Sequence, residues 1–369
     1  MRSGCGGAFR RAPGCSPPSS RRRPGSAWPG SGLDSPPLVE VRRGPRIESL
    51  HRGVVAVADR AGRLRYRVGP ADLGTFLRSS AKPFQALPLV ESGGADALGL
   101  TDAELAVTCG SHSGEPVHLG TVRAILSKAR LDERALQCGA HAPLDPATAE
   151  VLIRDGLAPE PVHNNCSGKH AGMLAACRHR EWPVDTYLRP DHPLQLEIAA
   201  VIAACCGTSI DAIPVGIDGC GVPTFSATLQ QTARAFAVLA DPHGFPERRA
   251  AAVGRVAGAM RRHPPMVGGT GRLNTDLLAR FGDRLVCKTG AEALFGIGLL
   301  DRGWGMAIKI EDGNPRALGA IAVEALSQLG VITGADAESL ASTHHPVVRN
   351  HHGWAVGEMR PVFRLEKVS

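Results

Sequence analysis

Arg78-Ser79-Ser80-Ala81-Lys82-Pro83-Phe84-Gln85 is the stretch on which the fold reading turns. Positions i and i+3 of a helix share a face, so the Ser79 hydroxyl and the Lys82 amine are expected within hydrogen-bonding distance. If Ser79 begins that helix, unpaired backbone N–H groups lie beside it and can hold an oxyanion. A neutral lysine next to a serine is a general base, the Ser–Lys variant of nucleophilic acyl transfer. Alone, the tetrapeptide reads more readily as a capping serine before a surface lysine. Lysine usage sharpens the choice. Of 42 basic residues only six are lysines: Lys82, Lys128, Lys169, Lys288, Lys309 and Lys367. Arginine keeps its proton near neutral pH whereas a buried lysine gives it up, so lysine is retained where a base or a metal ligand is needed. Lys128 and Lys367 read as plain surface residues.

Two further motifs lie downstream. Cys109-Gly110-Ser111-His112-Ser113-Gly114 falls between helical segments, and its glycines let the backbone bend and present a hydroxyl into a cleft. Lys288-Thr289-Gly290 stands at the end of an expected strand. The order S-x-x-K, S-D-N, K-T-G marks serine β-lactamases and penicillin-binding proteins. The order here, S-x-x-K, S-H-S, K-T-G, resembles it. The middle motif departs from S-D-N, so a penicillin-directed activity is not implied.

Outward from these motifs, the layout is β at both ends with helices between. Val54 to Ala58 and Leu64 to Val68 flank a turn at Asp59–Arg63 that contains Gly62, which predicts an antiparallel hairpin. Helices are expected over 79–92, 102–108, 117–130, 147–155, 170–180, 192–206, 223–240 and 247–262, with a loop from His163 to Lys169 and a strand from Ile213 to Ile217. Arg284–Lys288 and Gly305–Ile310 read as strands, followed by a turn at Glu311–Pro315 and a strand-to-helix stretch from Ala317 to Leu329. This predicts an α+β fold in which N- and C-terminal strands form one antiparallel sheet around a central helical subdomain. Residues 1–37 are Arg, Pro, Ser and Gly with little to bury, and read as a disordered tail before a domain over 38–369.

A fourth constellation pairs His163-Asn164-Asn165-Cys166-Ser167-Gly168-Lys169-His170 with Ile217-Asp218-Gly219-Cys220-Gly221-Val222-Pro223. Both are polar, glycine-bearing loops beside apolar elements, where functional groups usually lie. Three readings stand together: a soft or borderline divalent metal held by the two cysteines with nearby Lys, His or Asp, two buried thiols in tight turns, or a cysteine nucleophile activated by His170. His192, His263, His344–His345 and His351–His352 carry no ligand pattern and read as surface residues.

Composition narrows the class. The chain is 369 residues, 43% apolar and 21% charged, an ordinary globular protein. Residues 1–37 hold six arginines against Asp34 alone, five of the seven net positive charges, leaving +2 for the rest. Such a body without aromatic–basic interleaving argues against nucleic acid. No apolar run approaches the roughly 18 residues of a membrane span. The N-terminus lacks the apolar core of a signal peptide, and ten scattered cysteines do not read as a disulfide framework, so a cytoplasmic setting is expected.

R-S-S-A-K-P-F-Q (78–85), T-C-G-S-H-S-G-E (108–115), H-N-N-C-S-G-K-H-A-G-M (163–173), I-D-G-C-G-V-P (217–223) and C-K-T-G-A-E (287–292) together resemble the asparaginase II family, the thermolabile, rhizobial-type L-asparaginases. The resemblance runs in order from about residue 38 to 360. It implies a fold like serine β-lactamases and glutaminases, and hydrolysis of L-asparagine to L-aspartate and ammonia. Residue by residue it implies two Ser–Lys pairs: Ser79 as nucleophile with Lys82 as its base, and Ser111 with Lys288 relaying protons. It implies a metal, usually zinc, on Cys166, Lys169 and Cys220, with Asp218 beside it orienting substrate or water and Arg78 and His170 in support. It also implies a homodimer. Two coupled Ser–Lys pairs suit an amide, whose leaving amine must be protonated as it departs. The rival expectations are a glutaminase or β-lactam-type acyl hydrolase using the same chemistry, and a catalytically silent paralogue that binds an amino acid or zinc.

Overall fold

Val54, Val55, Ala56, Val57 and Ala58 are consecutive and all wholly buried, so the strand they form is covered on both faces. They lie in a computed structural model that describes residues 35–368. Its strands are β1 (Pro37–Arg43), β2 (Arg46–Asp59), β3 (Leu64–Val68), β4 (Gly74–Phe76), β5 (Val215–Ile217) and β6 (Pro223–Thr228). β7 (Leu285–Thr289), β8 (Leu294–Leu299), β9 (Trp304–Ile310), β10 (Val347–Arg349), β11 (Ala355–Pro361) and β12 (Glu366–Lys367) complete the set. The large sheet runs β10-β11-β1-β2-β9-β8-β7, with β3 paired to the far half of β2 and β12 to β3. Every pairing is antiparallel, and the register sets Val55 opposite Ile308 and Val57 opposite Met306. N- and C-terminal strands therefore pair in one sheet, the N-terminal pair flanked on both sides by C-terminal strands, as the α+β reading expects.

Helices cover that sheet. Leu229–Ala240 crosses β2, β8 and β9, while Leu318–Gln328 packs against β9, β1 and β11. The first approach is close because Gly296 in β8 has no side chain: a Cβ there would overlap the Phe236 ring. Between β4 and β7 the chain is mainly helical and includes Asp102–Thr108, Pro116–Lys128, Ser167–His179, Pro193–Cys206 and Glu247–Arg262. A small sheet, β4-β6-β5, lies within that span.

The expected hairpin is β2–β3, with Gly62 at φ +84 in its turn. Other expectations need correction. The helix over 79–92 is a 3-10 turn (Arg78–Ala81) and two short helices, Lys82–Gln85 and Leu87–Glu91, each with a proline in its first turn. A proline lacks the N–H that would continue the preceding helix, so each one restarts the chain. The helix over 223–240 is β6 followed by Leu229–Ala240, divided at Thr228, which forms a capping box with Gln231. The helix expected from His170 begins at Ser167, and the stretch from Ala317 holds a helix and no strand. β1, β4, β6, β8, β10, β11 and β12 had no counterpart in the reading. His192 is buried: its Nδ1 accepts from Leu194 N–H at 3.2 Å and caps the Pro193–Cys206 helix. Lys128 is half-buried and pairs with Glu104 at 2.6 Å. Most of the Arg-rich tail lies outside the described residues. Its last residues join the sheet: the Ser35 carbonyl accepts from Arg52, Pro36 from Gly53 N–H, and β1 begins at Pro37.

Candidate active site

The Ser79 turn hangs from the small sheet, where Leu77 N–H donates to the Phe225 carbonyl on β6 at 2.8 Å. Arg78 then takes φ +48, a left-handed conformation that costs a non-glycine residue free energy and persists only when its surroundings demand it. Ser79 is half-buried, and among the described residues its hydroxyl has no hydrogen-bond partner. Lys82 is wholly buried, but its amine does not turn back to Ser79. Lys82 Nζ donates to the Gly110 carbonyl at 2.6 Å and the Asn165 carbonyl at 3.3 Å, and lies 3.0 Å from Ser111 Oγ. The expected direct Ser79–Lys82 contact is thus replaced by one to Ser111, because three acceptors from other segments converge on the amine.

Lys288, wholly buried on β7, meets the same hydroxyl from the other side. Its Nζ lies 2.9 Å from Ser111 Oγ and 2.7 Å from the Thr289 carbonyl. Burial lowers the pKa of Lys82, with the Cys166 thiolate opposing. Burial pushes Lys288 well down, and the charge of Lys82 adds to the effect. Hydrogen-bond capacity agrees with this ordering. Lys82 has three acceptors for the three protons of an ammonium. Lys288 has one carbonyl acceptor, leaving its lone pair for the Ser111 proton. A neutral Lys288 would let Ser111 accept from Lys82 and donate to Lys288.

The histidine of S-H-S is structural. Ser167 O–H donates to the Val162 carbonyl at 2.8 Å, so His112 Nε2–H donates to Ser167 Oγ at 2.9 Å, while Nδ1 accepts from Gly114 N–H. Burial holds this ring neutral.

Behind Lys82 lie the two cysteine loops. A Cβ on Gly168 would collide with the Val107 carbonyl, so glycine alone lets the start of the Ser167–His179 helix pass behind the Ser111 segment. That passage brings Lys169 Nζ to 2.9 Å from Cys220 Sγ and 3.7 Å from Asp218 Oδ2. Cys220 Sγ lies 3.7 Å from Asp218 Oδ2, and Arg78 Nε donates to Asp218 Oδ1 at 2.7 Å. The hydrogen bond from the Cys220 thiol holds Cys166 well below the usual thiol range and raises Cys220 in turn. Burial works against a charged Lys169, but the Cys166, Cys220 and Asp218 charges outweigh it and raise its pKa. Burial would raise Asp218, yet Lys169 and Arg78 hold it below the carboxylate range. Cys166, Lys169, Cys220, Asp218 and Arg78 are therefore one charge-balanced cluster. Among the described residues no three His, Cys, Asp or Glu side chains form a metal-ligating group, so a donor set here depends on the lysine amine. Two thiols with an amine fit a borderline divalent cation, whose charge would favour both thiolates and the neutral amine. His170, also expected in support, shares a hydrogen bond with Tyr187 O–H at 2.7 Å, and its buried Nε2 has no partner.

Both serines open on one cavity of about 500 Å³, the size range of small-molecule sites. Its wall includes Arg272 and Asn274, which sequence reasoning missed, and Thr289 and Glu292, which lie in the quoted C-K-T-G-A-E stretch but were given no role there. Asn274 Nδ2 donates to Thr289 Oγ1 at 2.9 Å and its Oδ1 accepts from Thr289 N–H at 3.0 Å. The run Gly268-Gly269-Thr270-Gly271-Arg272, directly before a helix, was the available signal.

A profile of the L-asparaginase II family matches residues 39–361. The chain belongs to the L-asparaginase II family. Membership makes it an amidohydrolase. No curated protein matches the chain. Among solved structures it is similar to Mglu in its Tris and glutamate form, at 16% identity and TM-score 0.35, covering 80% of this chain and 63% of that one. Mglu in its native form gives 19%, 0.35, 81% and 69%. A Bacillus glutaminase gives 11%, 0.34, 76% and 91%. The chain thus spans about two thirds of the Mglu chains. Superpositions this loose carry no weight in assigning residues of this L-asparaginase II family member.

Proposed function

We propose that this protein hydrolyses L-asparagine to L-aspartate and ammonia by Ser–Lys acyl transfer. The Ser111 hydroxyl, held between two buried lysine amines beside the half-exposed Ser79, carries the reading. Ser79, free of protein hydrogen bonds among the described residues, attacks the side-chain amide carbon. An ester bond forms at Ser79 Oγ, and the C–N bond breaks as the nitrogen takes a proton and leaves as ammonia. Ser111 passes protons between Lys82 and Lys288, so that one amine accepts the serine proton and the other supplies the leaving group. Water then hydrolyses the ester and releases aspartate. Cys166, Lys169 and Cys220 would hold a zinc ion, with Asp218 alongside. When bound, that ion would supply a Lewis-acidic point that orients substrate. A homodimer in a reducing cytoplasm completes the proposal.

A specific observation favours a second assignment within the same chemistry. Ser111 Oγ lies 2.9 Å from Lys288 Nζ, an amine whose pKa burial pushes well down, which suits an activated nucleophile. The deciding experiment measures ammonia release from L-asparagine and L-glutamine, and the absorbance change on ring opening of a chromogenic cephalosporin, with Ser79→Ala and Ser111→Ala in parallel. Asparagine turnover falling about 10³-fold or more in Ser79→Ala, with acyl-enzyme trapped on Ser79 in the wild type, is expected. An adduct on Ser111 would move the nucleophile. No turnover of any amide by a folded, zinc-loaded sample would refute the activity and leave an amino-acid-binding protein.

A further inference from the structure

The wall of the active-site cavity carries two charged side chains, the cation Arg272 and the anion Glu292. Elsewhere in the protein arginines and acids pair closely, as Arg249 with Glu91 at 2.7 Å and Arg284 with Asp336 at 2.7 Å. Among the described residues the Arg272 guanidinium and the Glu292 carboxylate make no hydrogen bond or ion pair, either with each other or with other groups. Two opposite charges held apart in one cavity, each without a partner, match the two ends of a zwitterion. Arg78 and Asp218, expected from the sequence to support and orient substrate, already satisfy each other.

The backbone that carries each charge is fixed relative to the serines. The loop before Arg272 is fastened to the Ser111 segment: Ser111 N–H donates to the Val267 carbonyl at 2.9 Å, Ser113 Oγ to the Gly268 carbonyl at 3.1 Å, and Thr270 N–H to Glu115 at 2.7 Å. Two residues beyond Arg272, Asn274 is locked to Thr289. Because Thr289 Oγ1 accepts from Asn274, its own proton is left to donate into the cavity. On the opposite rim, the β7–β8 turn places Glu292 at φ +57 and Ala293 at φ +52. Two successive left-handed residues define the hairpin turn that Asn-Gly makes without strain. Non-glycine residues there are strained and persist only where the surroundings hold them. The Glu292 carbonyl is anchored by Lys309 Nζ at 2.7 Å. The chain thus keeps a carboxylate on a strained turn at the mouth of the cavity.

We propose that Arg272 and Glu292 are the specificity-determining pair for an α-amino-acid amide: Arg272, with the Thr289 hydroxyl, takes the α-carboxylate and Glu292 takes the α-ammonium. The inference rests on the proposed asparagine hydrolysis. Held by both charges at its α-carbon, the substrate offers its side-chain amide to the serines, and a simple amide lacking either charge is discriminated against.

The test compares L-asparagine with 3-aminopropanamide, which lacks the carboxylate, and succinamic acid, which lacks the amine. Wild-type protein is expected to prefer L-asparagine in kcat/KM over each by about 10- to 100-fold, the range of a lost charged hydrogen bond. Arg272→Gln should erase the preference over 3-aminopropanamide and keep that over succinamic acid, with Arg272→Lys recovering part of it. Glu292→Gln should do the reverse. Equal losses on all three substrates, or a wild type indifferent to the missing groups, would overturn the inference while leaving asparagine hydrolysis intact. If the wild type turns over no amide, the functional reading fails by itself. Titration calorimetry with L-aspartate then decides the pair: binding that weakens about 10-fold or more in Arg272→Gln sustains it, and unchanged binding overturns it.

Discussion

Ser111 holds a lysine amine on each side, and the pair is inexpensive only if one amine stays neutral. Lys288 is the one pushed furthest toward neutrality, because burial and the neighbouring Lys82 charge both act against its proton. Its depressed pKa makes two measurable statements. Activity should fall as pH drops through that pKa, when the amine takes a proton and stops accepting from Ser111. Stability should rise with pH between that lowered value and the ordinary 10.5, since over this window the unfolded chain binds the proton that the native chain refuses. Lys288→Met removes the burden. The variant should lose at least about 10²-fold in turnover yet melt higher than wild type near neutral pH, the gap closing as pH climbs toward 10.5. A variant that melts lower at every pH would show Lys288 serving as a structural donor instead. At this scale the candidate side chains were readable because they fall in short polar, glycine-bearing runs with scarce lysines. Their partners were not. Spacing placed Lys82 on the face of Ser79, but three carbonyl and hydroxyl acceptors from distant segments redirected it. Arg272 was missed because the glycine run before it names no chemistry, and Glu292, though it closes the quoted C-K-T-G-A-E stretch, was given no role because a single acid in a turn points to no partner.

Elements whose limits are written in local chemistry were legible. Asp102–Thr108 and Glu247–Arg262 have the boundaries expected from periodicity, and the β2–β3 hairpin follows from two apolar runs around a glycine turn. β8 was hidden because Leu294-Phe295-Gly296-Ile297-Gly298-Leu299 has glycines where a strand ordinarily shows branched side chains. The reason lies in tertiary packing. Gly296 makes room for Phe236, whose ring also meets Phe84 edge-on at 5.6 Å between centroids. Phe84 follows directly on Lys82-Pro83, so the fit of helix to sheet reaches the active-site turn. Gly296→Ala should therefore destabilise by about 1–3 kcal/mol, the range for overpacking a filled core, seen as a lower urea midpoint at unchanged slope. Combining it with Phe236→Leu should recover part of the loss, because touching residues do not add independently. A fully additive double variant would mean that the ring moves aside freely and that the glycine serves another purpose.

Across the whole molecule, the candidate site gathers segments far apart in sequence: the turn at 78–82, the loops at 109–114 and 163–170, the β5–β6 connection, the run before Arg272, and β7. The pairing of terminal strands in one sheet around a helical middle was foreseeable from element order, whereas the meeting of these loops is set by long-range packing that no local window contains. The cysteine cluster is where that assembly is most exposed to test. Cys166 and Lys169 belong to the start of the Ser167–His179 helix, Cys220 to the connection between two strands of the small sheet, and Arg78 ties the same cluster to the Ser79 turn. A cation on these ligands would bind the native arrangement and not the scattered donors of the unfolded chain, so it would stabilise every part that meets there. At a hundredfold excess over its dissociation constant a ligand adds about 2.7 kcal/mol. For a chain of this length that is a rise of about 3–4 °C in melting temperature. Purified protein stripped with a chelator should melt lower by that amount and recover on adding zinc, while Cys166→Ser and Cys220→Ser should melt at one temperature with or without the metal. If the wild type is equally indifferent to chelator and zinc, the two thiols and Lys169 are a self-sufficient buried ion cluster, and their work is to hold Asp218, Arg78 and the Ser79 turn in place.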